Sequence, residues 1–301
     1  MPVSIAYLAV IIIWSTTPLG IVWSTESVDP ALAVLLRMLI AVVLGIIGIL
    51  LTRIELPWHK NARKLYIYSS VGIFGGMMFS YLAAQTVSSG LISLIFGLAP
   101  VLSGLLAQRI LGEAKFGLVK WIAFTIAILG LFIVCSDQIS INDQMILGLV
   151  YVFCAVILFS LSGVLVKRIQ ISIHPFATTV GALIFCIPMF TLAWLAMGAE
   201  VNVVNWSYRS IWAIVYLGVI GSLIGFLAYF FVLQKLPPST VALATMITPV
   251  IAICLGAVLN NEHISVNTIV GALIVMLGLG LYQFGTKMFR YDFGKSFQIK
   301  N

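Results

Sequence analysis

Apolar residues run through this chain in ten blocks, roughly 3–23, 30–52, 65–85, 89–111, 116–135, 145–167, 175–197, 209–234, 238–259 and 266–285. Each is close to the ~20 residues that an α-helix needs to cross the hydrocarbon core of a bilayer. Short polar breaks separate the blocks, so successive helices are expected to be antiparallel neighbours. Pro30, Pro175 and Pro238 stand at or near block starts, where a missing backbone N–H costs least. The pattern predicts an all-α membrane protein of ten transmembrane helices.

The pattern also repeats. "APVLSGLLAQRILGE" (99–113) is echoed by "TPVIAICLGAVLNNE" (248–262), with the same interval from Pro100 to Glu113 as from Pro249 to Glu262. That offset of 149 residues also pairs Gly72 with Gly221, Gly76 with Gly225 and Gln85 with Gln234. Nearer the start an offset of 145 pairs Ser15 with Ser160 and Pro30 with Pro175, which fits a longer loop between the seventh and eighth blocks. The chain therefore reads as two five-helix repeats, 1–140 and 141–301, the second ending in a short tail, together forming one membrane domain. Five is odd, so the second copy must enter the membrane from the opposite face. Inverted repeats around a central cavity are characteristic of secondary transporters; duplication kept only for packing is the competing reading. The glycine pairs are read as small-xxx-small faces for close helix packing.

Composition narrows the class further. Hydrophobic residues make up 62% of the chain and charged residues 8%, against about 25% charged in soluble domains, so a water-facing surface is excluded. The net charge of +7 is loop charge and not a nucleic-acid footprint, because no basic cluster is interleaved with stacking aromatics. Fourteen of the sixteen Lys and Arg residues fall on one side of the ten-span arrangement, Arg209 alone lies on the other, and Arg37 lies within a span. By the positive-inside rule both termini are cytoplasmic. Glu26, Asp29, Asp137, Asp143, Glu200 and Glu262 fall on the opposite side. Cys135, Cys154, Cys186 and Cys254 lack CxxC spacing, and His59, His174 and His263 sit far apart in loops. No metal, cofactor or disulfide framework is indicated. The apolar N-terminus has no basic leader and reads as a retained first span.

The residues that carry the repeat resemble the drug/metabolite transporter superfamily, in particular its EamA-type ten-span permeases. The resemblance covers nearly the whole chain. It rests on "SSGLISLIFGLAPVLSGLLAQRILGE" (88–113), "LPPSTVALATMITPVIAICLGAVLNNE" (236–262), "LLRMLIA" (35–41) and "IIWSTTPLG" (12–20). It implies that spans 1, 3, 4, 6, 8 and 9 surround a central cavity with 2, 5, 7 and 10 outside. It also implies export of amino acids or other small metabolites across the bacterial inner membrane. Two positions depart from the family pattern: Thr248 stands where a glutamate is common, and Trp14-Ser15 where Trp-Gly is common.

Candidate site residues follow from span and helical spacing. Trp14 and Thr17 share a face of the first span, Tyr81 and Gln85 of the third, and Ser93, Phe96 and Pro100 of the fourth. Phe159, Ser160, Tyr229, Thr245, Thr248 and Pro249 come from the second copy. Pro100 and Pro249 are expected to kink their spans, free the carbonyls of Phe96 and Thr245, and act as hinges. Arg37 lies about 10 Å below the membrane surface. It is expected either to hold a substrate carboxylate or a carbonyl of a neighbouring helix or, as the preferred reading, to be structural, snorkelling outward or capping carbonyls. Glu113 and Glu262 are expected to hydrogen-bond nearby backbone or a neighbouring helix end, with proton coupling as the alternative reading.

No Asp or Glu lies in the middle of any span. This disfavours a proton-driven exporter of cationic drugs, a nucleotide-sugar permease would need several cations, and an intramembrane enzyme would need catalytic acids or histidines. A seven-helix sensor is contradicted by the charge alternation and the duplication. The reading is a secondary transporter, not an enzyme, exporting small neutral or zwitterionic metabolites, amino acids foremost. Multidrug or cation export and nucleotide-sugar transport are the alternatives. Its partners are a small-molecule substrate and membrane lipid, without nucleic acid, in a monomer or weak homo-oligomer. The tail, with Phe289, Tyr291, Phe293 and Phe297 among basic residues, is read either as docking on anionic headgroups or as a solvated extension.

Overall fold

The computed structural model describes the backbone of residues 2–138, 143–169, 171–199, 201–241 and 243–298, and side chains over these except 136–138, 143, 239 and 286–298. Among the described residues it is all-helical. The first three spans are single helices, α1 (Val3–Ser24), α2 (Pro30–Thr52) and α3 (Lys60–Ala83). The fourth is split into α4 (Ser89–Phe96) and α5 (Ala99–Ile110), and α6 (Leu118–Gln138) closes the first half. The second half opens with α7 (Asp143–Arg168) and α8 (Pro175–Ala196). Its eighth span runs as α9 (Tyr208–Tyr216), a π segment (Leu217–Ile224) and α10 (Gly225–Lys235). The ninth is again in two pieces, α11 (Pro238–Val241) and α12 (Ala244–Asn260), and α13 (Val266–Gln298) is last. Nine of these spans are long and apolar enough to cross a membrane, and the 17-residue α12 is a shorter tenth.

Local chemistry sets the boundaries. Asp29 accepts from the N–H of Leu32 at 2.9 Å ahead of Pro30, and Ser88 accepts from Leu91 at 3.4 Å. Two of the loop histidines are caps: His59 Nδ1 accepts from Ala62 N and His174 Nδ1 from Phe176 N. The His59 cap explains why α3 begins at Lys60, five residues before the apolar block that predicted it. At the other end α13 runs on to Gln298, past the expected limit near 285. The side chains of Phe289, Tyr291, Phe293 and Phe297 lie outside the described residues, and with them the docking expected of the tail.

The fourth and ninth spans end alike. Gly112 (φ 70°) and Asn261 (φ 51°) are both left-handed. The following glutamates donate their backbone N–H to Ala107 O (Glu113, 3.3 Å) and Gly256 O (Glu262, 3.1 Å). Both bonds reach back six positions, one more than in the Schellman motif, and like it they satisfy a carbonyl left open at a helix end. Each residue of one set lies 149 positions from its counterpart in the other.

Packing interleaves the two halves. α3 packs on α7 and α8, α2 on α8, α1 on α12, α4 on α12 and α6 on α13. One apolar core joins α1, α2, α3, α8 and α10, and a second joins α4, α5, α6, α7 and α13. Leu50, Leu51, Phe132, Leu192 and Leu277 point outward and exposed, as lipid-facing side chains do.

The fourth span corrects one expectation. Pro100 does not kink a continuous helix; it sits in the first turn of α5, after a break at Gly97 and Leu98, where its missing N–H leaves nothing unpaired. The carbonyls around the break are covered by hydroxyls, Ala99 O by Ser160 (3.4 Å) and Pro100 O by Tyr282 (3.3 Å), as the bilayer interior requires. Pro249, in contrast, lies inside α12.

Candidate functional site

Between the halves lies a narrow chamber with about 60 Å³ open to water-sized groups. Its wall is built from α1 (Trp14, Thr17, Pro18, Ile21), α3 (Met77, Ser80), α4 (Ile92, Ser93, Phe96) and α7 (Phe159). The eighth span supplies Gly221 and Phe226, α12 supplies Thr245 and Thr248, and one side chain, Arg37, reaches in from α2.

Breaks in helix geometry make room for this chamber. Pro18 removes a hydrogen bond from the middle of α1, and the split between α4 and α5 begins immediately after Phe96. The π segment of the eighth span carries Gly221 and Ser222, and such insertions occur frequently at functional sites. Two glycines of that segment admit α2: a Cβ on Gly218 would stand 2.8 Å from Ile40 Cγ2, and one on Gly221 would stand 3.2 Å from Arg37 Nη2. Gly221 therefore serves the chamber, beyond the helix packing expected of it.

The aromatic wall is continuous. Trp14 meets Phe159 edge-on with centroids 5.4 Å apart and tilts against Tyr229 at the same distance; Phe159 lies 5.3 Å from Tyr229 and 6.1 Å from Phe96. Such contacts fix ring orientation and add to area burial. Hydroxyls punctuate this surface. Ser80 Oγ donates to Gly76 O at 2.6 Å and Thr17 Oγ1 to Ile13 O at 2.7 Å, leaving their oxygen lone pairs for a guest.

Arg37 overturns the snorkelling expectation. It is 1% exposed, and its Nε donates to Ser222 Oγ at 2.7 Å. Its Nη1 is buried with no partner. The guanidinium carbon stands 6.0 Å from the ring centre of Tyr81, whose own hydroxyl is buried and unpartnered. Among the described residues the one ion pair is Arg209–Glu26, 3.2 Å apart at the acidic face. An arginine left uncompensated at membrane depth costs about 2.5–3.5 kcal/mol on insertion scales and ~10 or more in simulation.

Of the other expected site residues, Trp14, Thr17, Ser93, Phe96, Phe159, Thr245 and Thr248 line the chamber. Tyr229 stands one layer behind, against Trp14 and Phe159. Ser160 is spent on Ala99 O. Gln85 lies past the end of α3 and is exposed, and Tyr81 is buried away from the lining. Pro18, Ile21, Met77, Ser80, Ile92 and Phe226 also line the wall without having been anticipated. Ser80 and Met77 had a usable signal, since they lie one and four positions before Tyr81 on the same helix.

The two equivalent glutamates differ. Glu262 bridges to the start of α4: Oε1 accepts from Ser89 Oγ (2.7 Å), Ser89 N (3.2 Å) and Asn260 Nδ2 (3.2 Å), and Oε2 from Gly90 N (3.3 Å). Nearby, Trp23 Nε1 donates to Asn260 Oδ1 at 2.9 Å, and Ser27, Ser207 and Ser210 share hydrogen bonds. Glu113, on the basic face, is exposed, and its carboxylate accepts no hydrogen bond among the described residues, against expectation. Beside it a cleft of about 690 Å³ opens between Lys167, Lys235 and Pro238.

A family model described as "EamA-like transporter family" matches residues 1–136 and 146–283. The Bacillus subtilis (strain 168) protein named "Uncharacterized transporter YoaV" is 24% identical over 289 residues, 94% of this chain and 97% of that protein. "Uncharacterized inner membrane transporter YedA" of Escherichia coli (strain K12) is 25% identical over 298 residues, 95% of this chain and 94% of its own. One solved crystal structure, 18% identical, superimposes with a TM-score of 0.68 over 94% of this chain and 97% of that one.

Proposed function

The chain belongs to the EamA-like transporter family, and from that premise we propose that it is a secondary transporter exporting small neutral or zwitterionic metabolites, amino acids foremost, by alternating access. The inner membrane is its site of action. The name of the Escherichia coli relative supports that location, and so does the basic bias of one face, which the positive-inside rule makes cytoplasmic.

The observation that carries this reading is the unequal closure of two equivalent gates. At the acidic face Glu262 ties the end of α12 to the start of α4. At the basic face the side chain of its counterpart Glu113 is untied, and a cleft lies beside it. We read one end tied and the other untied as a carrier facing the cytoplasm. In the opposite state Glu113 takes up the segment that corresponds to Ser89 and Gly90, namely Pro238 and Ser239. Pro238 has no N–H to give, so that clamp is the weaker of the two and the inward-facing state is favoured at rest.

The wall chemistry supports the substrate class. It is largely apolar and aromatic with scattered hydroxyls, the usual surface for small-molecule recognition. Among the described residues no carboxylate lines it, which speaks against drug cations, and the one cation among them is too few for a nucleotide diphosphate. Purified protein in liposomes, offered a panel of labelled amino acids with and without a pH gradient, tests the reading. Saturable uptake of at least one amino acid is expected. Indifference to all of them, alongside transport of a lipophilic cation, would reverse it.

A further inference from the structure

We infer that Arg37 is the anchor for a carboxylate on the substrate, and that the chamber selects acids with an apolar body while reading no positive charge. This rests on the transport reading above and narrows its substrate to a chemical class.

The guanidinium stays protonated under all conditions a protein meets. It is almost fully buried and lines the chamber, yet among the described residues no carboxylate lines that chamber with it. The missing negative charge has to come from what the chamber admits. The hydrogen bonding says which kind of anion. Nε is held by Ser222 at 2.7 Å, which fixes the plane of the group, while Nη1 has no acceptor. What is left is the terminal pair, Nη1 closed off without a partner and Nη2 beside Gly221; a carboxylate that opened this end would meet its two parallel N–H vectors with its two oxygens. Gly221 keeps that end uncrowded, since a Cβ there would stand 3.2 Å from Nη2. A phosphate monoester carries a second charge for which the wall offers no second cation.

The rest of the wall reads the body of the substrate. Trp14, Phe96 and Phe159 form an apolar, aromatic surface beside the cation. An α-ammonium group finds only neutral hydroxyls and carbonyls here. The carboxylate is therefore required and the ammonium is merely tolerated. The anchor also straddles the repeats, because Arg37 belongs to the first half and Ser222 to the second.

Counterflow of labelled L-phenylalanine in proteoliposomes of the full chain decides this, with three unlabelled competitors that share one apolar body. L-Phenylalanine and N-acetyl-L-phenylalanine keep the carboxylate, and L-phenylalaninamide lacks it. The two acids should compete within about threefold of each other and the amide at least about tenfold less well, as expected for a site whose buried donors are left unpaired by the wrong ligand. Arg37→Gln, checked for a monodisperse fold, should bring the acid-to-amide ratio close to one. Ser222→Ala, which keeps the cation but frees its plane, should lower the ratio part-way. Should Arg37→Gln not fold, the wild-type ratio and Ser222→Ala decide. An amide as effective as the acids, or a folded Arg37→Gln protein with an unchanged ratio, would overturn the anchor and leave the transporter standing. Failure of all three compounds while another amino acid of the panel moves would overturn the selection alone; failure of the whole panel would overturn the transport reading with it.

Discussion

Replacing Glu262 with Gln removes a charge and one acceptor from the hydrogen bonds that join α12 to α4. Two of its four hydrogen bonds come from backbone N–H groups at the start of α4, one from Ser89 Oγ and one from Asn260. Hydrogen bonds to an ionised acceptor are worth about 1.5–3 kcal/mol each in net terms, and a negative charge at a helix N-terminus adds roughly 0.3–1 kcal/mol. A glutamine keeps one carbonyl acceptor and turns its amide donors toward the remaining N–H. Because Glu262 is only part-buried, the lower half of the range applies, about 2–3 kcal/mol. A free energy of that size shifts the balance between closed and open mouths by roughly 30- to 150-fold. The assay is labelling of a cysteine placed at Ser93, in the chamber, by a membrane-impermeant maleimide, with Cys135, Cys154, Cys186 and Cys254 replaced. From the acidic face labelling should be slow with Glu262 present and at least about tenfold faster with Gln. Equal rates in both proteins, or a lower melting temperature without any change in labelling, would refute the gate and leave Glu262 as an ordinary helix cap. The companion change Glu113→Gln breaks no hydrogen bond in this state, so it should leave acidic-face labelling slow and instead make the outward state harder to reach.

Pro100→Ala should let α4 and α5 fuse into one helix, and transport should fall more than the yield of folded protein; equal losses in both would make the break purely structural. Gly278→Ala places a methyl 2.6 Å from Ala127 N and 2.8 Å from Ala123 O, both backbone atoms of α6, so overpacking should cost about 1–3 kcal/mol and lower the melting temperature in detergent without changing substrate preference. Lys167→Met removes three hydrogen bonds to the carbonyls of Leu233, Gln234 and Leu236 and should destabilise the end of α10 by about 1–3 kcal/mol, read as faster proteolysis at the basic face. Glu26→Gln should do little, because an exposed pair such as Arg209–Glu26 is worth at most about 1 kcal/mol; a loss of transport there would show that the mouth depends on that pair.

The spans were legible because bilayer thickness imposes one length on every crossing. Ten apolar blocks could be counted without any knowledge of packing, and seven of the eleven residues proposed for the cavity line it: Trp14, Thr17, Ser93, Phe96, Phe159, Thr245 and Thr248. The four that do not were placed by the same spacing and failed for local reasons. Gln85 falls beyond the last turn of α3, where helical periodicity no longer applies. Ser160 and Tyr229 lie on the right helices, but one hydroxyl is consumed by a carbonyl at the α4–α5 break, and the other residue is screened by Trp14 and Phe159. Tyr81 is buried against Arg37, one shell out.

Arg37 shows where such reading runs out. Its position in the second span says only that it is buried in lipid or in protein, and snorkelling settles that choice for most isolated arginines. What decides otherwise is a stretch of π geometry in a different span, Leu217–Ile224, whose sequence "LGVIGSLI" carries no mark separating it from an α-helix of the same composition. The widened turn presents Gly221 and Ser222 to α2, the glycine leaving space and the serine holding Nε. Two spans that are unremarkable alone thus define a polar site together. The repeat offers no copy of it, since the position 149 residues before Ser222 is Ile73, an apolar residue packed in the core. The buried cation is therefore a feature of one half only, held in place by the other. On the proposed reading, a single fixed cation approached in turn from each side suits a carrier that moves one acid at a time.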